Sequence, residues 1–367
     1  MKFIATRDQI QDSLQSAASV AERRQTIPIL ANLKVCARKG MVEVTSTDLE
    51  IQLKVSSNVK EVEQEGEVTV SARKMSELCR SLPDNESLVF ELIEGKLHVS
   101  AKNFKADFAT LSAEDFPELE VGIEKQELKI LSKDLKRLLN KTSFSMASQD
   151  VRYYLNGLLL EVKNGSFNSI ATDGHRLAIS CKKDKKYNID DSKIILPRKA
   201  VIELAKILPD TEEEICFFVG EGSVVAKKEN LVFSSKLIEG KFPDYEKVLP
   251  SGDESTLTIR KEVLQSALSR SSVLSNEKYR GVRLSISKDL LRLTANNPEQ
   301  EMAEEEIAVA FEGRDMEIGF NIGYLLDVLT NIDTEDVEIL FYGEESSCLI
   351  RETGSPLESY VVMPMKL

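Results

Sequence analysis

Ala171-Thr-Asp-Gly-His-Arg-Leu-Ala-Ile-Ser180 holds one of the two histidines in this 367-residue chain. An aspartate stands two residues before that histidine and an arginine directly after it, types that could form an acid/base pair from Asp173 and His175. The flanking sequence points elsewhere. Two strand-like runs, 155–162 and 167–171, lead into Thr172-Asp173, as the runs 33–37 and 42–45 lead into Thr47-Asp48. Asp48 and Asp173 lie 125 residues apart, as do Arg73 and Arg198. Leu78 and Leu204, Pro83 and Pro209, and Pro117 and Pro243 lie about 126 apart. A fainter third pass runs through 282–286 and 290–295 into Asn296-Asn297, where Asn297 follows Asp173 by 124.

Amphipathic helices recur in the same order. Residues 7–24 space Ile10, Leu14, Ala17 and Ala21 at helical intervals, and 132–146 do so with Leu135, Leu138, Leu139 and Met146. Residues 71–82 and 197–208 form shorter helices that stop at Pro83 and Pro209. The third pass supplies 260–274 and 322–329. The expectation is an α+β protein of three tandem similar domains, 1–125, 126–253 and 254–367. Each has two helices and roughly eight strands, the helices covering antiparallel sheets on one side. Asp173 then reads as a turn residue shared with Asp48, accepting backbone N–H groups. Gly174 and His175 replace Leu49 and Glu50 and are particular to the middle copy.

Composition is that of a soluble globular chain, 42% hydrophobic and 30% charged. The N-terminus lacks the apolar core of a signal peptide, and no run approaches the ~18 apolar residues of a membrane span. The five cysteines (Cys36, Cys79, Cys181, Cys216 and Cys348) are scattered, which fits reduced, buried thiols and a cytoplasmic location. Net charge is −13, which opposes nucleic acid on average. The charge is segregated, however. Across 7–26, 71–82, 132–145, 197–208, 260–274 and 321–331 there are 16 Lys and Arg against 8 Asp and Glu. The helices thus sum to +8 and everything else to −21. Basic helices on one side of an arc would suit a polyanion held through its phosphates.

Phosphate-loop, zincin and nucleophile-elbow motifs are absent, and His98 and His175 are too few for a multi-histidine metal site. His98 falls in an alternating strand. No cofactor is expected.

Several runs together resemble the bacterial DNA polymerase III beta subunit family, the sliding clamps. They include Ser71-Ala-Arg-Lys74, Phe144-Ser-Met-Ala-Ser-Gln-Asp-Val-Arg-Tyr-Tyr-Leu-Asn-Gly157, Ala171-Thr-Asp-Gly-His-Arg-Leu177, Phe242-Pro-Asp-Tyr245, Thr294-Ala-Asn-Asn-Pro-Glu-Gln300 and Tyr360-Val-Val-Met-Pro-Met365. The resemblance spans nearly the whole chain. It implies a head-to-tail homodimer, six domains in a ring with helices lining the hole, that slides on double-stranded DNA without reading its sequence. It also implies a peptide groove for the DNA polymerase III alpha subunit, the clamp loader, translesion and repair polymerases and mismatch-repair proteins. Carried over, the groove comprises Leu155, Thr172, Gly174, His175, Arg176, Leu177, Pro243, Val248, Tyr279, Asn321, Tyr324, Ser347, Val361, Val362, Met363, Pro364 and Met365. Lys247 and Lys366 stand where relatives can carry arginine, so a bidentate contact is not expected there.

The implied DNA contacts are Arg24, Arg73, Gln149, Tyr153, Tyr154 and Arg198, to which local charge adds Arg152 and Lys199. The implied subunit seam sets Phe108 against Val273 and Leu274, with Lys74, Lys96 and Lys105 facing Glu299, Glu301 and Glu305. Two other readings compete: a peptide-binding scaffold that does not encircle DNA, and a hydrolase using Asp173 and His175. No membrane partner is expected.

Overall fold

The computed structural model describes residues 1–21, 27–122, 124–184, 187 and 191–366. Within them lie six α-helices: α1 (Arg7–Val20), α2 (Ala72–Ser81), α3 (Ser132–Ser143), α4 (Arg198–Ile207), α5 (Lys261–Ser272) and α6 (Ile322–Thr330). Each begins on the residue after a strand ends. The strands are Lys2–Thr6, Gly66–Ser71, Glu124–Leu131, Ser192–Pro197, Ser255–Arg260 and Met316–Asn321. This loopless junction, made six times, is the structural form of the repeat. At α1 the Gln9 side chain accepts the Thr6 N–H at 2.8 Å, and at α6 Asn321 Oδ1 accepts the Tyr324 N–H at 3.3 Å.

Two helices end earlier than their apolar spacing predicts. α1 stops at Val20 because Ala21 is extended. Residues 22–26, with the proposed DNA contact Arg24, lie outside the described residues. α3 stops at Ser143, and Met146 is buried from the turn that follows.

The chain divides into two compact units, 1–136 with 202–237 and 137–201 with 238–367. The division cuts the middle repeat instead of falling near 125 and 253, because sheets pass from one repeat into the next. In the first unit a 13-stranded antiparallel sheet joins Leu231–Lys236 of the middle repeat to Ile51–Asn58 of the first, with Val232 opposite Lys54. In the second unit a nine-stranded sheet joins Arg176–Lys183 to Glu358–Val362, with Leu177 opposite Val361. A separate four-stranded sheet there runs in the order Met302–Ala308, Leu290–Asn296, Gly281–Ile286, Met316–Asn321.

The helical stripes read from sequence supply the cores. Ile10, Leu14 and Ala17 of α1 and Met75 and Cys79 of α2 pack with Leu33, Val44 and Val70 in the first unit. Leu264 and Leu268 of α5 and Leu325 and Leu329 of α6 pack with Leu284 and Leu293 in the second. Each fully buried leucine contributes roughly 1.5–3 kcal/mol. All five cysteines are unpaired. Cys79 and Cys348 are buried as expected, but Cys36, Cys181 and Cys216 are only half-buried. Burial pushes the Cys79 thiol up to about 12, so it stays protonated and inert. Among the described residues no helix is long and apolar enough to cross a membrane.

Candidate functional site

The turn at Asp173 repeats the one at Asp48. Asp48 Oδ1 accepts the N–H groups of Glu50 and Ile51 at 2.9 and 2.7 Å. Asp173 Oδ1 accepts those of His175 and Arg176 at 2.9 and 3.0 Å. Thr47 and Thr172 donate their hydroxyls to Ile51 O and Arg176 O. The residue after the aspartate is left-handed in both copies, Leu49 at φ 76° and Gly174 at φ 90°, and glycine takes that conformation at little cost. In the third copy Asn297 Oδ1 accepts the Glu301 N–H at 2.9 Å across a turn one residue longer. The other oxygen of Asp173 accepts Arg176 Nε at 3.1 Å. The aspartate therefore serves the turn, while the His175 imidazole lies exposed against the Tyr324 ring, 6.4 Å between centroids. The acid/base reading of this pair is overturned by where the Asp173 oxygens are committed.

Arg176 is the hub of the loop. Its guanidinium lies 4.6 Å from the Tyr324 ring centre and 5.4 Å from that of Phe144. It donates to Phe144 O at 2.8 Å and pairs with Asp327 of α6. Five groups thus fix one side chain, and that side chain fixes the rim of a pocket.

The pocket is a cavity of about 150 Å³ with mostly apolar walls. Of the expected groove residues, Leu155, Thr172, Gly174, Arg176, Leu177, Pro243, Val248, Val361 and Met363 line it. The antiparallel pairing of Leu177 with Val361 sets the floor, and Met363, its N–H bonded to His175 O at 2.9 Å, overhangs it. The remaining groove residues fall elsewhere. Tyr279 and Met365 line a larger neighbouring cleft of about 780 Å³, and Pro364 and Met365 a further one of about 470 Å³. Asn321 caps α6, its side chain also donating to Tyr279 O at 3.1 Å, and Ser347 is half-buried. Val362 is a correction: strand alternation turns it away from Val361 and into the core of the second unit, fully buried.

Two pocket residues were missed from sequence. Tyr245 is one, although it stands in the Phe242-Pro-Asp-Tyr245 run. Its hydroxyl donates to Glu161 Oε2 at 2.6 Å, and Lys193 pairs with the same carboxylate at 2.7 Å. Burial, then the bond to Glu161, pushes the Tyr245 phenol well above its ordinary value. Burial also works against ionising Glu161, yet Lys193 and Tyr245 hold it below the usual carboxylate range. The other is Arg152. Local charge assigned it to DNA, but its fork is bound by Asp150, Nε to Oδ1 at 3.0 Å and Nη2 to Oδ2 at 2.9 Å, and it lies over Gly174 at the pocket edge. The Arg152 fork holds the Asp150 carboxyl well below its ordinary value, at about 2.

The other expected DNA contacts divide. Arg73 is exposed on α2 and makes no ion pair among the described residues. Gln149 is exposed with φ 60°, Tyr153 is exposed, and Tyr154 is half-buried edge-on to it at 6.0 Å. Arg198 donates to Met146 O at 3.0 Å, and Lys199 is half-buried. The helix charge counted from sequence overstates what is free for phosphate. All four cations of α3 have internal partners: Lys133 with Glu212, Lys136 with Leu208 O, Arg137 with Glu358, and Lys141 with Glu352.

Phe104–Leu111 and Met302–Ala308 each leave an edge open among the described residues. Phe104–Leu111 pairs along its length with Lys96–Ala101, but on its other side only Thr110 and Leu111 are bonded, to Val70 and Thr69. Its counterpart Leu231–Lys236 is paired on both sides. Met302–Ala308 is an outer strand, whereas its counterparts Ile51–Asn58 and Arg176–Lys183 are paired on both sides. Such edges invite another strand. Lys74, Lys96, Lys105 and Glu299 are exposed beside them, and Val273 is 77% exposed with Leu274 half-buried. Phe108 is buried in the core of the first unit, so Phe104 is the aromatic this edge presents. Glu301 is bonded by Asn297 Nδ2 at 2.6 Å, and Glu305 by Arg270 Nε at 2.9 Å.

An apolar pocket edged by a guanidinium fork is thus carried on a threefold repeat of one α+β design. Descriptions of the N-terminal, central and C-terminal domains of the DNA polymerase III beta subunit match residues 1–120, 129–244 and 246–366. The beta sliding clamp of Pseudomonas putida is 43% identical over 367 residues, all of both chains. A crystal structure of the sliding clamp from Pseudomonas aeruginosa bound to griselimycin superposes with TM-score 0.96 at 44% identity, covering all of both chains. That from Bartonella birtlesii, also bound to griselimycin, does so with TM-score 0.94 at 32% identity over the same extent. The chain belongs to the DNA polymerase III beta subunit family.

Proposed function

We propose that this protein is a processivity factor without catalytic activity. It encircles duplex DNA as a head-to-tail homodimer of three-domain subunits, with domain boundaries near 125 and 253. It tethers the DNA polymerase III alpha subunit in the cytoplasm. The clamp loader, translesion and repair polymerases and mismatch-repair proteins dock by short apolar motifs in the pocket floored by Leu177 and Val361. DNA contact is made to phosphates by Arg73 and its equivalent Arg198, so it is independent of sequence and falls with salt.

The observation that carries the ring is the pair of open edges. Phe104–Leu111 and Met302–Ala308 are the counterparts of strands that join one repeat to the next inside the chain. A head-to-tail contact uses these two edges in the same way, and closure pairs both of them. The internal registers also set the pairing. Hairpins closing at Ala101 opposite Phe104 and at Lys228 opposite Leu231 make Lys105 the counterpart of Val232. Gln52 and Met302 follow equivalent turns, so Glu304 is the counterpart of Lys54. Val232 opposes Lys54, and Lys105 therefore opposes Glu304 of the second subunit rather than Glu305. Sedimentation of the Lys105→Glu protein should show a weakened dimer, restored by mixing with a Glu304→Lys protein, each opposed pair contributing about 0.2–1 kcal/mol. A wild-type chain that sediments as a monomer at micromolar concentration would contradict the ring.

A further inference from the structure

We infer that Asp150 is a specificity-determining residue of the docking pocket. By neutralising Arg152 it makes the pocket accept an uncharged hydrogen-bond acceptor beside the apolar anchors and discriminate against a carboxylate there. This rests on the peptide-docking reading of the pocket.

The described pocket lining holds two cations, Arg152 and Arg176. The Arg176 guanidinium is consumed by Asp173, Asp327 and Phe144 O and is sandwiched between two rings. Arg152 differs. Nε and Nη2 bind the two Asp150 oxygens, and Nη2 also reaches Asp173 O at 3.3 Å. Nη1 makes no hydrogen bond among the described residues, and it lies 3.2 Å from where a side-chain carbon on Gly174 would stand. Because Gly174 has none, the fork lies against the bare turn at the edge of the pocket that both residues line. The absence of that carbon is what lets the fork lie flat over the turn.

The charge state decides what those donors take. A lone guanidinium favours carboxylate, which it binds bidentately. Here the bidentate face is already filled by Asp150, so an approaching group meets a neutral pair with two spare N–H donors. A peptide carbonyl or side-chain amide oxygen satisfies them without penalty. A carboxylate reaching the same point lies within several ångströms of the Asp150 oxygens and is repelled. Asp150 is well placed for this. It accepts the Arg152 N–H at 2.8 Å as well as the side chain, and Asn156 holds its own backbone on both sides, Asp150 N–H to Asn156 Oδ1 at 2.9 Å and Asn156 Nδ2 to Asp150 O at 2.8 Å. An asparagine keeps the oxygen that accepts the Arg152 N–H and Nε, and removes the charge together with the acceptor for Nη2.

The test is fluorescence polarisation with the full-length protein and three labelled pentapeptides. One is glutamine-leucine-serine-leucine-phenylalanine, the second has glutamate for its glutamine, and the third has aspartate for its serine. For wild type, at least one acidic peptide should bind more weakly than the neutral one. In Asp150→Asn that acidic-to-neutral ratio of Kd values should fall by about three- to tenfold. The double variant Asp150→Asn with Arg152→Ala should lose the gain, which shows that it runs through the guanidinium. If the neutral peptide binds both proteins and neither ratio changes, the specificity role of Asp150 is overturned. If no peptide binds wild type, the docking reading of the pocket fails first and takes this inference with it.

Discussion

A Lys141→Met protein should unfold at a clearly lower urea concentration than wild type, with a loss of about 3–5 kcal/mol. Lys141 is almost wholly buried on α3 and spends its three N–H donors inside the protein. They go to Glu352 and Asp333, both at 2.8 Å, and to Asn331 O at 2.6 Å. Glu352 is itself buried and also accepts the Asp333 N–H at 2.9 Å. Removing the ammonium leaves that carboxylate with no cation, which is the costly half of a buried pair. Methionine has similar volume, so the loss does not come from a cavity. A Lys141→Met, Glu352→Leu double variant should recover most of it, because no unpaired charge remains. The pH dependence has a defined sign. Burial opposes the charge, but Asp333 and Glu352 outweigh it and raise the Lys141 pKa above its ordinary value. The stabilisation is therefore fully present below the ordinary lysine pKa and is lost only as pH rises through the higher folded value. Wild-type stability should fall in strongly alkaline solution, and Lys141→Met should show less of that fall.

Arg176→Ala should weaken docking of a Gln-, Leu- and Phe-rich peptide by roughly tenfold or more while costing about 3 kcal/mol of stability. The guanidinium carries the Asp173 turn, the Asp327 pair on α6, Phe144 O and two aromatic faces. Alanine frees the loop that positions Gly174 and Leu177. Arg176→Lys retains the charge but not the planar fork, so it should fall between wild type and alanine. Peptide titrations at a temperature where circular dichroism shows both variants folded would separate the two effects. Unchanged affinity in folded Arg176→Ala would mean that the rim is held by the strands alone.

The repeat was legible because its landmarks are local. Aspartate turns, prolines after helices and apolar stripes each follow from short-range chemistry, and their separations survive without any knowledge of contacts. Asp48 and Asp173 share a turn in the structure as they do in the chain. The division of the chain into packing units was not legible, since the pairing of Leu231–Lys236 with Ile51–Asn58 is non-local and edge strands carry no mark of their partner. The same limit explains the charge count. Sequence places Lys133, Lys136, Arg137 and Lys141 on one helix but cannot show that each has a partner far along the chain. Val362 follows Val361 in sequence, yet strand alternation sends it into the core while Val361 lines the pocket. Nor does spacing show that Asp150, two residues from Arg152, bends back on its fork.

A protein that holds DNA by surrounding it is retained by topology and not by affinity alone. The direct measurement is retention on DNA after loading, compared between a nicked circular plasmid and the same plasmid cut once. A ring stays on the circle through a moderate-salt wash and slides off the linear form within the same interval. Equal retention on both, or equal loss from both, would mean groove binding to the duplex and would contradict the clamp.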